Sequence, residues 1–108
     1  MKIFIDGKHL INRSGFHKEF KEKMGFPDFY GGNMDAWIDC MSYIDSKKAG
    51  TSKIVVNEGD SLIIEIKNSK FLKQKNREIY NDLIECKEIV NERFKKINSV
   101  TKLELVFK

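Results

Sequence analysis

Long apolar runs are missing from this 108-residue sequence. No stretch approaches the roughly 20 residues that a membrane-crossing helix needs. The opening segment MKIFIDGKHL lacks the apolar middle of a secretory leader. Proline occurs once and glycine seven times, which excludes collagen-like and linker-like material. Two cysteines, Cys40 and Cys86, are too few for a disulfide framework, so the expectation is two reduced thiols in a cytoplasmic protein. The two histidines, His9 and His17, read as ordinary surface or boundary residues and form no zinc spacing with the cysteines. No metal, cofactor or membrane partner is expected. What remains is 41% hydrophobic and 33% charged residues, the balance of one globular domain spanning residues 1–108.

Cations are also missing from one window. Between Met24 and Ser46 there is no Lys or Arg, but there are Asp28, Asp35, Asp39 and Asp45. The window carries −4 in a chain whose net charge is +4, so the remainder carries +8. Either chance or a cationic partner accounts for it.

The apolar spacing orders the elements. Lys2 to Ile5 reads as a strand closed by the turn pair Asp6-Gly7. A helix capped by Ser14 runs to Met24, with Phe16, Phe20 and Met24 on one face. Gly25 suits the left-handed position after it, and Pro27 prevents its continuation. Asn33 caps a second helix to Ile44. Met34, Trp37, Ile38, Met41 and Ile44 form its apolar stripe, opposite Asp35, Asp39 and Ser42. Lys53 to Asn57 is an edge strand or an extended connection, and Ser61 to Lys67 is a core strand. Ser69 to Gln74 makes one or two helical turns, Asn76 to Ile97 a long helix, and Thr101 to Phe107 a last strand. Strands separated by helices predict an α/β fold. It has a three-stranded parallel sheet, with room for one added edge strand, packed by three to four helices in two or three layers.

Asp35 and Asp39 lie one turn apart on an exposed face. The helix dipole favours the first, but the second repels it by about 0.2–0.5 kcal/mol, and no Lys or Arg of the same helix relieves them. A solvated acidic face is one reading; a patch awaiting a cationic partner is the other. Of the two loop aromatics before the helix, Phe29 and Tyr30, one is expected to anchor the loop, leaving the other free as a contact. A carboxylate pair alone, without a third ligand, a nucleophile or a phosphate-cradling loop, does not point to an enzyme, and no catalytic residue is assigned.

The run FPDFYGGNMDAWIDCM, with Asp6-Gly7 and FHKEF before it, resembles the barstar family of intracellular inhibitors of the secreted ribonuclease barnase. The specific likeness covers the first 45 residues or so; beyond them the order of elements agrees. The resemblance implies a cytoplasmic bacterial immunity protein, monomeric when free, that fills the active site of a secreted ribonuclease or related nuclease toxin. By matching position, Asp39 stands in for the scissile phosphate, with Asp35 beside it at the same site. Phe29 stacks where the family has Tyr. Gly31 and Asn33 give close backbone approach and an amide contact, and Ser42 keeps the hydroxyl of a family Thr. The order Trp37-Ile38 reverses the family's Leu-Trp, so Trp37 is expected in the core and Ile38 at the rim of the contact. The positive net charge and the NERFKKIN end of the last helix imply a different, less basic target. Two other readings stand beside this one. One is a nucleic-acid module using Lys67, Lys70, Lys73, Lys75 and Arg77, a stretch that also reads as a solvated connection. The other is a regulatory protein-binding domain of the same fold.

Overall fold

The β-branched and aliphatic residues of three segments pair in a parallel sheet. In the computed structural model, which describes residues 1–108, the strands are β1 (Lys2–Asp6), β2 (Ser61–Lys67) and β3 (Lys102–Phe107), in the order β1-β2-β3. Ile3 is opposite Ile64 and Leu62 opposite Leu103, so Ile3, Ile5, Leu62, Ile64, Ile66 and Leu103 lie on one buried face. The alternate residues Lys2, Phe4 and Lys67 are exposed on the other, uncovered face. The arrangement is therefore two layers, a sheet with its helices on one side.

The helices are α1 (Arg13–Met24), α2 (Met34–Met41), α3 (Ser69–Lys75) and α4 (Arg77–Lys96). A 3₁₀ turn over Gly7–Leu10, capped by Asp6, leads from β1 towards α1. Phe16, Phe20 and Met24 point inward from α1, and Ile79, Leu83, Cys86, Val90 and Phe94 from α4. Both stripes follow the three- and four-residue spacing of a helical face, except that Ile97, which the same spacing adds to the second stripe, is exposed just past the end of α4.

Three boundaries differ from expectation, and one open alternative is decided. Helix α1 is capped by Asn12, whose Oδ1 accepts from the Gly15 N–H at 2.7 Å. Asn12 already has the extended backbone that a cap needs and caps as well as a serine, so Ser14 is displaced into the first turn. Helix α2 stops at Met41 rather than Ile44. The Ser42 hydroxyl donates to the Ile38 carbonyl at 2.6 Å, and the next amides close tighter turns onto Cys40 and Met41. Lys53 to Asn57 takes the second of its two expected forms, an extended connection: its amides bond to the end of α1 and to the turns after α2, with Ile54 N–H on Met24 O and Val56 N–H on Ile44 O. The last strand starts at Lys102, because the Thr101 side chain is bound to Asp45 and Gly59. Gly25 takes the left-handed backbone at φ 69°, as its place before Pro27 predicts.

Candidate functional site

The acidic window folds into the loop 25–33 and helix α2. Asn33 Oδ1 caps α2 by accepting from the Ala36 N–H at 2.8 Å, which fixes the first turn and leaves Asp35 exposed there. Asp35 makes no ion pair or side-chain hydrogen bond. Asp39 follows one turn later on the same outward face.

The loop divides its two aromatics as expected. Tyr30 is half-buried, stacks near Phe26 with ring centroids 4.8 Å apart, and its hydroxyl is hydrogen-bonded to His17 Nδ1. Burial pushes the Tyr30 hydroxyl well above its ordinary pKa, and burial and then Arg13 push His17 below its own. Phe29 is 79% exposed. Its phenyl ring lies open on the loop that leads into the helix carrying Asp35 and Asp39. Gly31, Gly32 and Asn33 are exposed between them, and Gly32 has the positive φ (67°) that favours glycine.

Two expected contacts are less available. Ile38 is 6% exposed and belongs to the core cluster with Trp37, so the rim position assigned to it is corrected. The stripe of α2 is broad enough to bury both residues against the core. The Ser42 hydroxyl is spent on the Ile38 carbonyl.

Of the other two acids, Asp45 is tied into the fold and Asp28 stays at the surface. Asp45 accepts from the Thr101 hydroxyl at 2.9 Å, and Asp28 lies 4.0 Å from Lys21 Nζ in a fully exposed position. The unexpected partner is Arg93, from the last turn of α4. Its Nη1 lies 2.7 Å from Asp39 Oδ1 and 3.4 Å from Ser42 Oγ. No cation of α2 relieves Asp39, but the packing of α2 against α4 brings one across 54 residues of sequence. The pair is open to water on both sides, with side-chain exposures of 47% and 65%, so it is worth about 0–1 kcal/mol. Asp35 and Asp39 therefore both stay at the surface, one bare and one lightly covered.

The family model described as Barstar (barnase inhibitor) matches residues 1–106. The chain belongs to the barstar family. It is also 46% identical over 41 residues to a Bacillus subtilis (strain 168) protein named "Putative ribonuclease inhibitor YrdF", a match covering 38% of this chain and 45% of that relative. The chain thus spans less than half the length of this curated relative. The barstar fold places Phe29, Gly31, Asn33, Asp35 and Asp39 on one continuous outward stretch of loop and helix. It also adds Arg93, which sequence reading missed. Nothing local signals Arg93, since only the tertiary contact turns this arginine, set between Glu92 and Phe94, into a partner of Asp39.

The remaining candidates lie elsewhere. Lys67, Lys70, Lys73, Lys75 and Arg77 make no salt bridges, but the Lys75 and Lys73 ammoniums sit over Phe71 and Tyr80 at 5.7 and 5.4 Å. Those ring faces are covered by the protein's own cations, which disfavours base stacking. Both cysteines are free and buried, and burial pushes the Cys86 thiol up to about 11 and the Cys40 thiol upward. No three His, Cys, Asp or Glu side chains gather as a metal site requires. No helix is long and apolar enough to cross a membrane.

Proposed function

We propose that this barstar-family chain is a cytoplasmic inhibitor, or immunity protein, of a bacterial ribonuclease toxin, and that it is a non-enzyme acting as a monomer. It blocks the nuclease site with the loop 25–33 and helix α2. The observation that carries the reading is the exposed phenyl of Phe29 on the loop that leads into α2, whose outward carboxylates are Asp35 and Asp39.

A ribonuclease must hold a phosphate with Arg, Lys or His groups at the scissile position. A carboxylate desolvated against those groups makes charge-assisted, bidentate-capable bonds. Asp39 takes the phosphate place, Asp35 accepts hydrogen bonds next to it, and Phe29 stacks as a base would. Gly31 admits the partner's backbone, and the Asn33 amide, whose oxygen is committed to the cap, offers its NH₂. Ser42 plays a smaller part through its oxygen. No covalent bond forms and no cofactor is needed.

The test is inhibition of barnase, and of nucleases secreted by the source organism, by wild-type protein and by Asp39→Ala and Asp35→Ala. Asp39→Ala should weaken binding by at least ~2 kcal/mol, the hot-spot threshold. Unchanged dissociation of a complex formed by Asp39→Ala would rule out the phosphate-mimic role.

A further inference from the structure

The carboxylate proposed to meet the target's cation already has one. Arg93 Nη1 lies 2.7 Å from Asp39 Oδ1 and reaches Ser42 Oγ at 3.4 Å. Arg93 belongs to the last turn of α4, where Lys95 and Lys96 are also exposed. Lys95 lies 3.4 Å from Glu92, whereas Lys96 has no acidic partner. The middle of the acidic face therefore carries a guanidinium, the same chemistry that a phosphate-binding cleft would bring.

We propose that Arg93 is a specificity-determining residue of this face: it occupies Asp39 in the free protein and selects targets that carry a carboxylate beside their phosphate-binding cations. The inference rests on the reading of the face as inhibitory. Two outcomes are open to Arg93 when a cationic cleft arrives. If it stays, a positive charge sits within hydrogen-bond distance of Asp39 and repels the arriving cations in a partly desolvated interface, where repulsion is stronger than in water. If it leaves, Asp39 gives up its own pair before it gains the target's, and Arg93 needs a new acceptor. A uniformly basic cleft satisfies neither outcome. A cleft with an acidic group at its rim satisfies the second, because two ion pairs then replace one. Rejection of unsuitable partners through a misplaced charge is an established route to specificity.

The probe is barnase, with association and dissociation measured for wild type, Arg93→Gln and Arg93→Lys, and for each in an Asp39→Ala background. The pair is exposed, so Arg93→Gln should fold, which a thermal melt verifies. Arg93→Gln should bind at least tenfold more tightly than wild type, with faster association at low salt, and Arg93→Lys should stay near wild type. In the Asp39→Ala background the gain should fall below threefold, because the two residues act as one unit. If Asp39→Ala weakens binding but Arg93→Gln leaves it unchanged or weaker, Arg93 is not a selector and the inhibitory reading survives. If neither wild type nor Arg93→Gln binds barnase, the inhibitory reading fails for this enzyme and the inference is overturned with it.

Discussion

The Asn91 side-chain amide binds both backbone groups of Leu103: its Nδ2 donates to the Leu103 carbonyl at 3.1 Å, and its Oδ1 accepts from the Leu103 N–H at 2.8 Å. Leu103 lies on β3, the outer strand of the sheet, and its partner on β2 is Leu62. An open strand edge is a template for pairing with another chain. Asn91 acts here as a one-residue stand-in for a fourth strand, held by α4. The groove beside it, about 750 Å³, is lined by Lys87, Leu105 and Val106 among others.

Removing this clamp should cost stability and free the edge. Asn91→Ala leaves a half-buried donor and acceptor to water or to nothing, a loss of about 1–3 kcal/mol. Urea unfolding should show a lower midpoint with an unchanged slope. Sedimentation at rising concentration should show self-association of the variant beyond that of wild type. A variant as stable and as dispersed as wild type would mean that the clamp does not hold the edge.

Trp37 gives a second prediction. It is the only tryptophan, is fully buried, and packs edge-on to Phe20 with ring centroids 5.6 Å apart. Its Nε1 has no hydrogen-bond partner. Burying that N–H offsets part of the gain from burying the ring. Trp37→Phe removes the unpaired donor together with some ring volume, and should cost about 1–2 kcal/mol. Trp37→Ala should cost about 3–5 kcal/mol. The unfolding midpoint read by circular dichroism checks both. A Trp37→Phe loss as large as that of Trp37→Ala would show that the unpaired N–H has little weight.

How much of this was legible in the sequence depends on the range of the contact. Elements set by local spacing could be read directly. The stripe of Phe16, Phe20 and Met24 and the stripe from Ile79 to Phe94 are periodic, and Asn33 and Gly25 use short-range capping. The same holds for the outward placement of Asp35 and Asp39, since helical geometry decides it. What sequence could not supply was the pairing of these groups with distant parts of the chain. Arg93 reaches Asp39, and Asp45 binds Thr101, only because α2, α4 and the approach to β3 converge. Ile38 was misplaced for a related reason: a broad stripe shows which side faces inward, but the neighbouring elements decide how far burial extends. Competing local options explain the rest. Asn12 and Ser14 both suit a cap, and backbone conformation chose Asn12.

The His17–Tyr30 pair carries the last prediction, because it anchors the loop that presents Phe29. His17, on α1, is buried against that loop, beside Phe16 and hydrogen-bonded to Tyr30. Burial, and then the Arg13 charge, lower its pKa below the ordinary 6.5. The unfolded chain therefore takes up a proton near pH 6.5 that the folded protein resists. Stability contributed by neutral His17 is full above that pH and is lost as pH falls from it towards the folded pKa. Asp6 acts in a lower window. Its carboxyl is held down by Asn68 and then by the Lys8 N–H, so its contribution is present above about pH 4 and lost on further acidification. His17→Gln keeps a hydrogen-bonding side chain near Tyr30 but cannot titrate. Wild type should lose stability between pH 7 and pH 5, and His17→Gln should lose less over the same interval in urea titrations. Parallel pH profiles for the two proteins would show that the loop anchor is indifferent to the charge on His17.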